Sequence, residues 1–254
     1  MRLILAEDYE ELCRIGADYL AGVVAAKPDA AVVFPTGETP MGIYREMAAR
    51  CQRGELNATR LRVFQLDEYL EISPEDHRSL YRWMERALIG PLGIPVTNVV
   101  RLPTGSSDPV SACRAYDEAV RAAGGFDLAV LGLGPNGHLG FNEPPSEPDS
   151  TTRVVELTEE SVDSNARYWG SRDQVPRRAM TAGMDVLLAA RHTLLVVSGE
   201  HKRGILHRAL EGPVAPEVPA SYLRLAPDVT VLADSAAWGP NSSAGKLSAW
   251  DTTS

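Results

Sequence analysis

The chain has 254 residues, enough for one large α/β domain or two small ones. Its formal net charge of −9 argues against a general polyanion-binding surface such as one for nucleic acid, and leaves room for a small local anion pocket. The three cysteines, Cys13, Cys51 and Cys113, lack metal-ligand spacing, so reduced thiols in a cytoplasmic protein are expected. The sequence shows no secretion signal and no apolar run of about 18 residues, so neither export nor membrane insertion is expected.

Strand and helix patterns alternate from the start of the chain. Apolar residues at helical spacing predict a helix over 8–26, followed by a strand candidate at 30–34. A polar turn at 35–40 then precedes an amphipathic segment at 41–50. A strand, a turn and a helix in this order direct free backbone N–H groups at the helix start toward a bound anion, often a phosphate. The turn matches no established nucleotide-binding pattern, so a plain connection between strand and helix fits equally well.

The next strand candidate, 61–66, ends in two adjacent acids, Asp67 and Glu68. Two acids at the carboxyl end of a strand either cap a helix or form a salt-bridged rim, or one of them serves as a base. The segments that follow are predicted as a helix at 75–88, a strand at 98–102 and a helix at 111–123.

The stretch 126–145, FDLAVLGLGPNGHLGFNEPP, has the highest density of reactive side chains. Residues 128–131 predict a strand buried on both faces, as in a parallel sheet. Glycines at 132, 134 and 137 end that strand and allow the backbone to approach a ligand. Ligands of open α/β sheets bind at the carboxyl ends of the strands, so the polar side chains of this turn are expected to take part in binding or catalysis. The alternative is an ordinary surface turn whose polar side chains only satisfy backbone groups. These side chains are Asn136, His138, Asn142 and Glu143.

The remaining patterns complete a single α/β domain over 1–235, built on an open, Rossmann-like, mostly parallel sheet with helices on both faces. Residues 236–254, rich in Ser, Gly, Asn and Pro, are expected to form a loosely ordered tail. The segments are predicted as a strand at 153–157, a helix at 159–167, a loop or helix start at 175–178 continuing into 179–190, strands at 193–197 and 229–232, and a helix at 203–211.

Lys202 lies just before the predicted helix 203–211. The dipole at a helix start does not favour a cation, which suggests a role beyond local stability. A solvated helix lysine is the alternative interpretation.

Five segments occur in an order and spacing typical of one family. They are 35–44 (PTGETPMGIY), 64–69 (FQLDEY), 131–144 (LGLGPNGHLGFNEP), 165–169 (NARYW) and 198–206 (SGEHKRGIL). Together they resemble the glucosamine-6-phosphate deaminase family, whose superfamily also contains the 6-phosphogluconolactonases. The resemblance covers about residues 1–235, and the letters FNEP after the histidine resemble the deaminase branch.

The resemblance implies an aldose–ketose isomerisation with loss of ammonia, from glucosamine 6-phosphate to fructose 6-phosphate, without a cofactor or metal. It implies that Asp67 moves the proton at C2 and that His138 opens the sugar ring. Glu143 is implied to orient and tune the histidine through a hydrogen bond to one ring nitrogen, and Asn136 to hold it by hydrogen bonds. The implied partner is a small amino-sugar phosphate, with no nucleic acid or membrane, and the protein is expected to be a monomer or a homo-oligomer. The residues implied to bind the substrate or its phosphate are Thr36, Gly37, Glu38, Thr39, Glu68, Arg167 and Lys202.

Three positions depart from the pattern of the family. Asn136 stands where some members carry aspartate, and it adds no negative charge beside His138. Glu38 replaces a small residue and puts a carboxylate into a turn expected to bind an anion. At the site of the allosteric activator only Arg153 remains of a basic pair, so we expect no activation by N-acetylglucosamine 6-phosphate.

Two other functional classes remain compatible with these residues. His138 could activate water for hydrolysis of a sugar-acid lactone, or the departures at Asn136 and Glu38 could mark a sugar-phosphate sensor without turnover. A metal hydrolase using Asp67, His138 and Glu143 is disfavoured, since the cluster holds one histidine and the chain has no HExxH motif.

Overall fold

A seven-stranded parallel sheet forms the centre of the molecule. The computed structural model describes residues 1–239. In that part of the chain the strands are β1 (Arg2–Ala6), β2 (Ala31–Phe34), β3 (Arg62–Gln65), β4 (Asp67–Tyr69), β5 (Val99–Val100), β6 (Leu128–Gly132), β7 (Arg153–Glu156), β8 (Arg178–Thr181), β9 (His192–Val197) and β10 (Val229–Asp234). The main sheet has the order β1-β10-β9-β6-β2-β3-β5, and every neighbouring pair in it is parallel.

Helices cover both faces of this sheet. They are α1 (Tyr9–Ala26), α2 (Met41–Gln52), α3 (Leu80–Met84, continued by a π-helical turn over Glu85–Ile89), α4 (Pro109–Ala122), α5 (Glu159–Trp169), α6 (Met184–Leu188), α7 (Arg203–Glu211) and α8 (Ser235–Trp238). One core lies between the sheet and α1, α2 and α3, and a second lies between the sheet and α4, α6, α7 and α8. The predicted single α/β domain with an open parallel sheet is therefore confirmed.

Short polar side chains fix the start of three predicted helices. Asp8 accepts a hydrogen bond from the backbone N–H of Glu11 (2.8 Å), and Asp108 accepts one from that of Ser111 (2.9 Å). Thr158 caps α5 in the same way. Such caps satisfy N–H groups that have no partner within the first helical turn, which explains why these helices begin close to their predicted first residues.

A second, smaller sheet was not predicted. It is antiparallel with the order β4-β8-β7, and it pairs Asp67 with Thr181. The prediction that 175–178 leads into a helix at 179–190 is wrong, because residues 178–181 pair with strands on both sides and only Met184–Leu188 is helical. Tertiary pairing overrides local propensity here. A single residue, Leu66, separates β3 of the main sheet from β4 of the small one.

Three other differences concern the ends of elements. The edge strand β1 was not predicted, and the helix predicted from 75 begins only at Leu80, where Ser79 caps it. The first part of the predicted tail is the short helix α8, whose Trp238 ring lies 4.8 Å from the His207 ring. The rest of that tail, 240–254, lies outside the described residues.

Residues 1–239 contain neither a membrane-spanning helix nor a cluster of metal ligands. No helix there is both long and apolar enough to cross a membrane. No group of three or more His, Cys, Asp or Glu side chains within the same residues is arranged to hold a metal ion. Cys13, Cys51 and Cys113 are free thiols.

Candidate functional site

Four neighbouring strands of the main sheet deliver the predicted site residues to one edge. In the order β9-β6-β2-β3 their carboxyl ends lead to Lys202, to the glycine turn (132–145), to the β2–α2 turn (36–39) and to Asp67. The order in which strands are added changes side between the parallel neighbours β2 and β6. The chain adds β3 and β5 on the β2 side and later β9 and β10 on the β6 side. Ligands of open α/β sheets bind at such a switch point, in the crevice beyond the strand ends.

Asp67 is a buried carboxylate without a full set of partners. It is 7% exposed, and its Oδ1 atom has no hydrogen-bond partner among the described residues. Burial raises the pKa of Asp67 to about 7, and the nearby charge of Glu68 adds to the effect. A Cβ atom added at Gly140 would lie 3.4 Å from Asp67 Oδ2, so this carboxylate adjoins the glycine turn. Such a carboxylate is suited to take up a proton near neutral pH.

In Glu68, by contrast, both carboxylate oxygens accept hydrogen bonds from protein groups. Its Oε1 accepts hydrogen bonds from the backbone N–H groups of Tyr69 and Leu80, both at 2.9 Å. Its Oε2 accepts from the Tyr81 N–H (2.9 Å) and from Gln65 Nε2 (3.0 Å). Glu68 therefore ties β4 to the start of α3, which argues against the direct substrate contact that the resemblance implied. It remains a fixed negative charge beside Asp67.

His138 is packed against the backbone of its own turn. A Cβ atom at Gly134 would lie 2.1 Å from His138 Cδ2, so only glycine leaves room for the ring at that position. The histidine side chain is 15% exposed. Burial, together with the positive charge of Lys202, lowers the pKa of His138 to about 4. The imidazole is therefore neutral at pH 7 and able to accept a proton.

Glu143 lies beside His138 but binds mainly to α5. Its Oε1 is 3.9 Å from His138 Nδ1, too long for a hydrogen bond, and that nitrogen has no hydrogen-bond partner among residues 1–239. The carboxylate accepts hydrogen bonds from the Thr158 N–H (2.6 Å) and from the Ser161 hydroxyl. The predicted pair is thus brought together without the predicted hydrogen bond.

Asn136 stabilises the backbone of the glycine turn rather than the imidazole. Its Oδ1 accepts a hydrogen bond of 3.2 Å from the backbone N–H of His138. A charged aspartate is not needed for that contact, since an amide oxygen accepts equally well. In this structure, Asn136 fixes the position of the histidine through the main chain.

The two predicted cations lie near each other. Lys202 is partly buried, and its side-chain ammonium forms no hydrogen bond or ion pair with any residue of the described chain. Burial lowers the pKa of Lys202, and the charge of Arg167 lowers it further. Arg167, on α5, is 62% exposed, and its Nη2 lies 3.3 Å from Glu38 Oε2 and donates a hydrogen bond of 2.7 Å to the Tyr168 hydroxyl.

The Tyr9 side chain, at the start of α1, contacts the backbone of the β2–α2 turn. The Tyr9 hydroxyl lies 3.2 Å from the carbonyl oxygen of Glu38 and 3.1 Å from that of Thr39, and it accepts a hydrogen bond from the Gly42 N–H (3.0 Å). Gly37 has a φ of 108°, which L side chains rarely adopt. Thr36, Gly37 and Thr39 are half-buried, and the Glu38 side chain is exposed, as expected for the rim of a cleft.

Sequence reasoning missed the residues that support this site. Thr181 Oγ1 accepts a hydrogen bond from the Phe141 N–H (3.1 Å) and thereby joins β8 to the glycine turn. Thr158 and Ser161 hold Glu143. The start of α5 reads Thr-Glu-Glu-Ser, a capping pattern that exposes free N–H groups, and this signal could have indicated a carboxylate partner. The sequence has no comparable signal for Thr181.

Two surface grooves of about 410 and 420 Å³ lie outside this site. They share residues 104–107, and neither is lined by Asp67, His138 or Lys202. We place the chemistry in the strand-end crevice instead, because the carboxylate with a free oxygen and the neutral imidazole both lie there.

Known proteins share the sequence pattern and the fold of this chain. The family model described as glucosamine-6-phosphate isomerases/6-phosphogluconolactonase matches residues 7–232. A glucosamine-6-phosphate deaminase of Halothermothrix orenii is 38% identical over 92% of this chain and 97% of its own. A solved monomeric glucosamine-6-phosphate deaminase of the NagB superfamily has a TM-score of 0.91 at 36% identity, covering 93% of this chain and 98% of the other.

The lactonase branch is more distant. The solved 6-phosphogluconolactonase of Trypanosoma brucei has a TM-score of 0.76 at 18% identity, covering 93% of this chain and 97% of the other, which shows a shared fold alone. The sequence and the fold thus lead to the same family. The chain belongs to the glucosamine-6-phosphate isomerase/6-phosphogluconolactonase family.

Proposed function

We propose that this protein is an enzyme that converts glucosamine 6-phosphate and water into fructose 6-phosphate and ammonia. The observation that carries the proposal is the buried Asp67 carboxylate, with one oxygen unpartnered among residues 1–239, beside the turn that bears a neutral imidazole. An aldose–ketose isomerisation needs both groups, one to open the ring and one to move a carbon-bound proton. The deaminase relatives support the choice of an amino sugar.

Ring opening is assigned to His138. A neutral imidazole can take the proton from the anomeric hydroxyl and return a proton to the ring oxygen, which leaves the open-chain aldehyde. Glu143, 3.9 Å from the ring, stabilises the imidazolium while it carries that proton. Gly134 and Asn136 keep the ring in place.

Proton transfer at carbon is assigned to Asp67. Its carboxylate removes the proton from C2, next to the aldehyde, and returns a proton to C1, which moves the double bond to the carbon that bears nitrogen. Water then hydrolyses the resulting imine at C2 to the ketose and releases ammonia. A carboxylate with a pKa of about 7 is a stronger base than an exposed one, because the charged form is poorly solvated.

The phosphate is assigned to Lys202, Arg167 and the β2–α2 turn. Two cations and free backbone N–H groups suit a dianion. Holding the phosphate fixes the reacting carbons relative to Asp67 and His138, so binding energy remote from the reaction lowers its barrier. We also propose a cytoplasmic location, which the free thiols of Cys13, Cys51 and Cys113 favour.

The direct test is ammonia release from a panel of 2-amino sugars, each with and without a 6-phosphate. We expect ammonia and a ketose phosphate in equal amounts from glucosamine 6-phosphate, and far slower release from glucosamine. Hydrolysis of a 6-phosphogluconolactone without ammonia release would instead identify a lactonase. Tight binding of glucosamine 6-phosphate without any product would identify a sensor.

The pH dependence of kcat/KM should show one acidic limb near pH 7. Asp67 acts as a base, so activity requires its ionised form, and its pKa of about 7 predicts a tenfold loss per pH unit below that value. His138, with a pKa of about 4, stays neutral above pH 5 and adds no second limb in that range. The substrate phosphate titrates near pH 6. Calorimetric binding of an unreactive sugar phosphate, glucosamine 6-phosphate reduced at C1, over the same pH range separates that contribution. A flat kcat/KM profile between pH 5 and pH 7 would contradict the assignment of Asp67.

A further inference from the structure

We propose that Glu38 is an internal competitor for the phosphate of the substrate: its carboxylate pairs with Arg167 and must be displaced before a phosphate can pair with the same guanidinium. The ion pair joins Glu38 Oε2 to Arg167 Nη2 at 3.3 Å. This inference rests on the proposed function, in which Arg167 and Lys202 bind the phosphate. It makes Glu38 a residue that sets the affinity of the site for anions.

The ion pair belongs to a cluster of three side chains at the rim of the cleft. The Arg167 guanidinium donates to the Tyr168 hydroxyl (2.7 Å) and lies 4.7 Å from the centre of the Tyr168 ring. Burial raises the pKa of Tyr168, and the nearby Glu38 carboxylate adds to this effect. Glu38, on the β2–α2 turn, is therefore paired with Arg167 of α5 and lies close to the next residue of that helix.

The backbone of this turn restricts where the Glu38 carboxylate can lie. The Glu38 carbonyl oxygen accepts a hydrogen bond from the Met41 N–H (3.1 Å) and lies 3.2 Å from the Tyr9 hydroxyl. With the main chain held at these points, the side chain projects from the rim, 65% exposed, toward Arg167. A phosphate bound to Arg167 would have to share this position with the Glu38 carboxylate or drive it out into solvent.

The ion pair reduces the positive charge that is available to a bound phosphate. Lys202 and Arg167 supply two positive charges, and Glu38 offsets one of them. A phosphate monoester carries between about 1.5 and 2 negative charges at pH 7. The substrate therefore has the Lys202 ammonium available, whereas the Arg167 guanidinium is already paired. A neutral side chain at position 38 would leave both cations for the phosphate.

The expected effect is moderate, because the ion pair is exposed. Solvent-exposed ion pairs change an equilibrium constant by a factor of about 1.5 to five. Removing the carboxylate also removes its repulsion of a nearby dianion, which adds a further factor of about two at low ionic strength. Together these factors predict a gain in phosphate affinity of roughly threefold to tenfold.

The test uses the Glu38→Gln variant and a matched control, Glu55→Gln. Glu55 is 54% exposed and pairs with Arg53 at 2.7 Å, just beyond the carboxyl end of α2 and hence away from the strand-end crevice. We expect Glu38→Gln to lower the Kd for inorganic phosphate and the KM for glucosamine 6-phosphate by roughly threefold to tenfold at low salt. Glu55→Gln should change neither value. An unchanged or raised phosphate Kd in Glu38→Gln would overturn the inference.

Two further measurements separate this inference from its alternatives. In an Arg167→Gln background the gain should fall to about twofold, because no ion pair is left to break and only the repulsion of the phosphate remains; an undiminished gain would show that Glu38 does not act through Arg167. Calorimetry with inorganic phosphate requires no turnover. If Glu38→Gln binds phosphate more tightly but no variant releases ammonia, the inference stands and the proposed reaction fails.

Discussion

The Asp67→Asn variant should lose at least about a thousandfold in kcat/KM for glucosamine 6-phosphate. Asparagine has nearly the same shape as aspartate, so the substrate still fits, but the amide cannot accept the C2 proton. Ammonia release and exchange of the C2 proton with deuterated solvent should fall together, because both require abstraction of that proton. Proton exchange at the wild-type rate in this variant would remove Asp67 from the mechanism.

Stability measurements on the same variant exclude unfolding as the cause. The pKa of Asp67 is raised from 3.8 in an unfolded chain to about 7 in the folded protein. The folded state therefore holds its proton more tightly, and wild-type stability falls as the pH rises from about 4 to about 7. Asparagine lacks this penalty. We expect the melting temperature of Asp67→Asn to exceed that of the wild type at pH 8 and to approach it near pH 4.

The His138→Gln variant should lose about a hundredfold to a thousandfold in kcat/KM, because glutamine cannot carry a proton from the anomeric hydroxyl to the ring oxygen. An acyclic analogue, glucosamine 6-phosphate reduced at C1, needs no ring opening. Its inhibition constant should change by less than about threefold, since His138 contributes to a chemical step rather than to phosphate binding.

The control for this experiment is His192→Gln. His192 begins β9, at the edge of the sheet opposite the crevice, where it pairs with Asp228 at 2.7 Å. This variant should retain wild-type kcat/KM. If the reduced analogue instead bound His138→Gln a hundredfold more weakly, His138 would be a binding residue, and ring opening would have to be assigned elsewhere.

The sequence was sufficient to predict the main sheet, apart from its edge strand β1, and the residues around its crevice. Buried apolar runs such as 128–131 and 193–197 identify strands covered on both faces, and alternation with amphipathic helices implies parallel order. Parallel strands share one carboxyl edge, so polar residues after those runs were expected to converge. The structure brings Asp67, His138 and Lys202 to that edge.

The small sheet could not be predicted, because its strands are short and depend on distant partners. Residues 178–181 are a strand only because β4 and β7 lie on either side of them. The partners of Glu68 were equally hidden, since its carboxylate binds backbone N–H groups at the start of α3, whereas the capping pattern of α5 carried a signal for the partner of Glu143. The ion pair of Glu38 with Arg167 joins residues more than a hundred positions apart, which no local pattern reveals.

The position of β4 has a consequence for how the substrate is held. Asp67 starts the small sheet, which packs with α5 through contacts such as that of the Tyr69 and Trp169 rings at 5.2 Å, whereas His138 and Lys202 follow strands of the main sheet. A phosphate bound by Lys202 on one side and by Arg167 on the other would link the main sheet to the small sheet and α5. It would set the gap between the base and the ring-opening group, so a sugar without the phosphate would lose turnover as well as affinity.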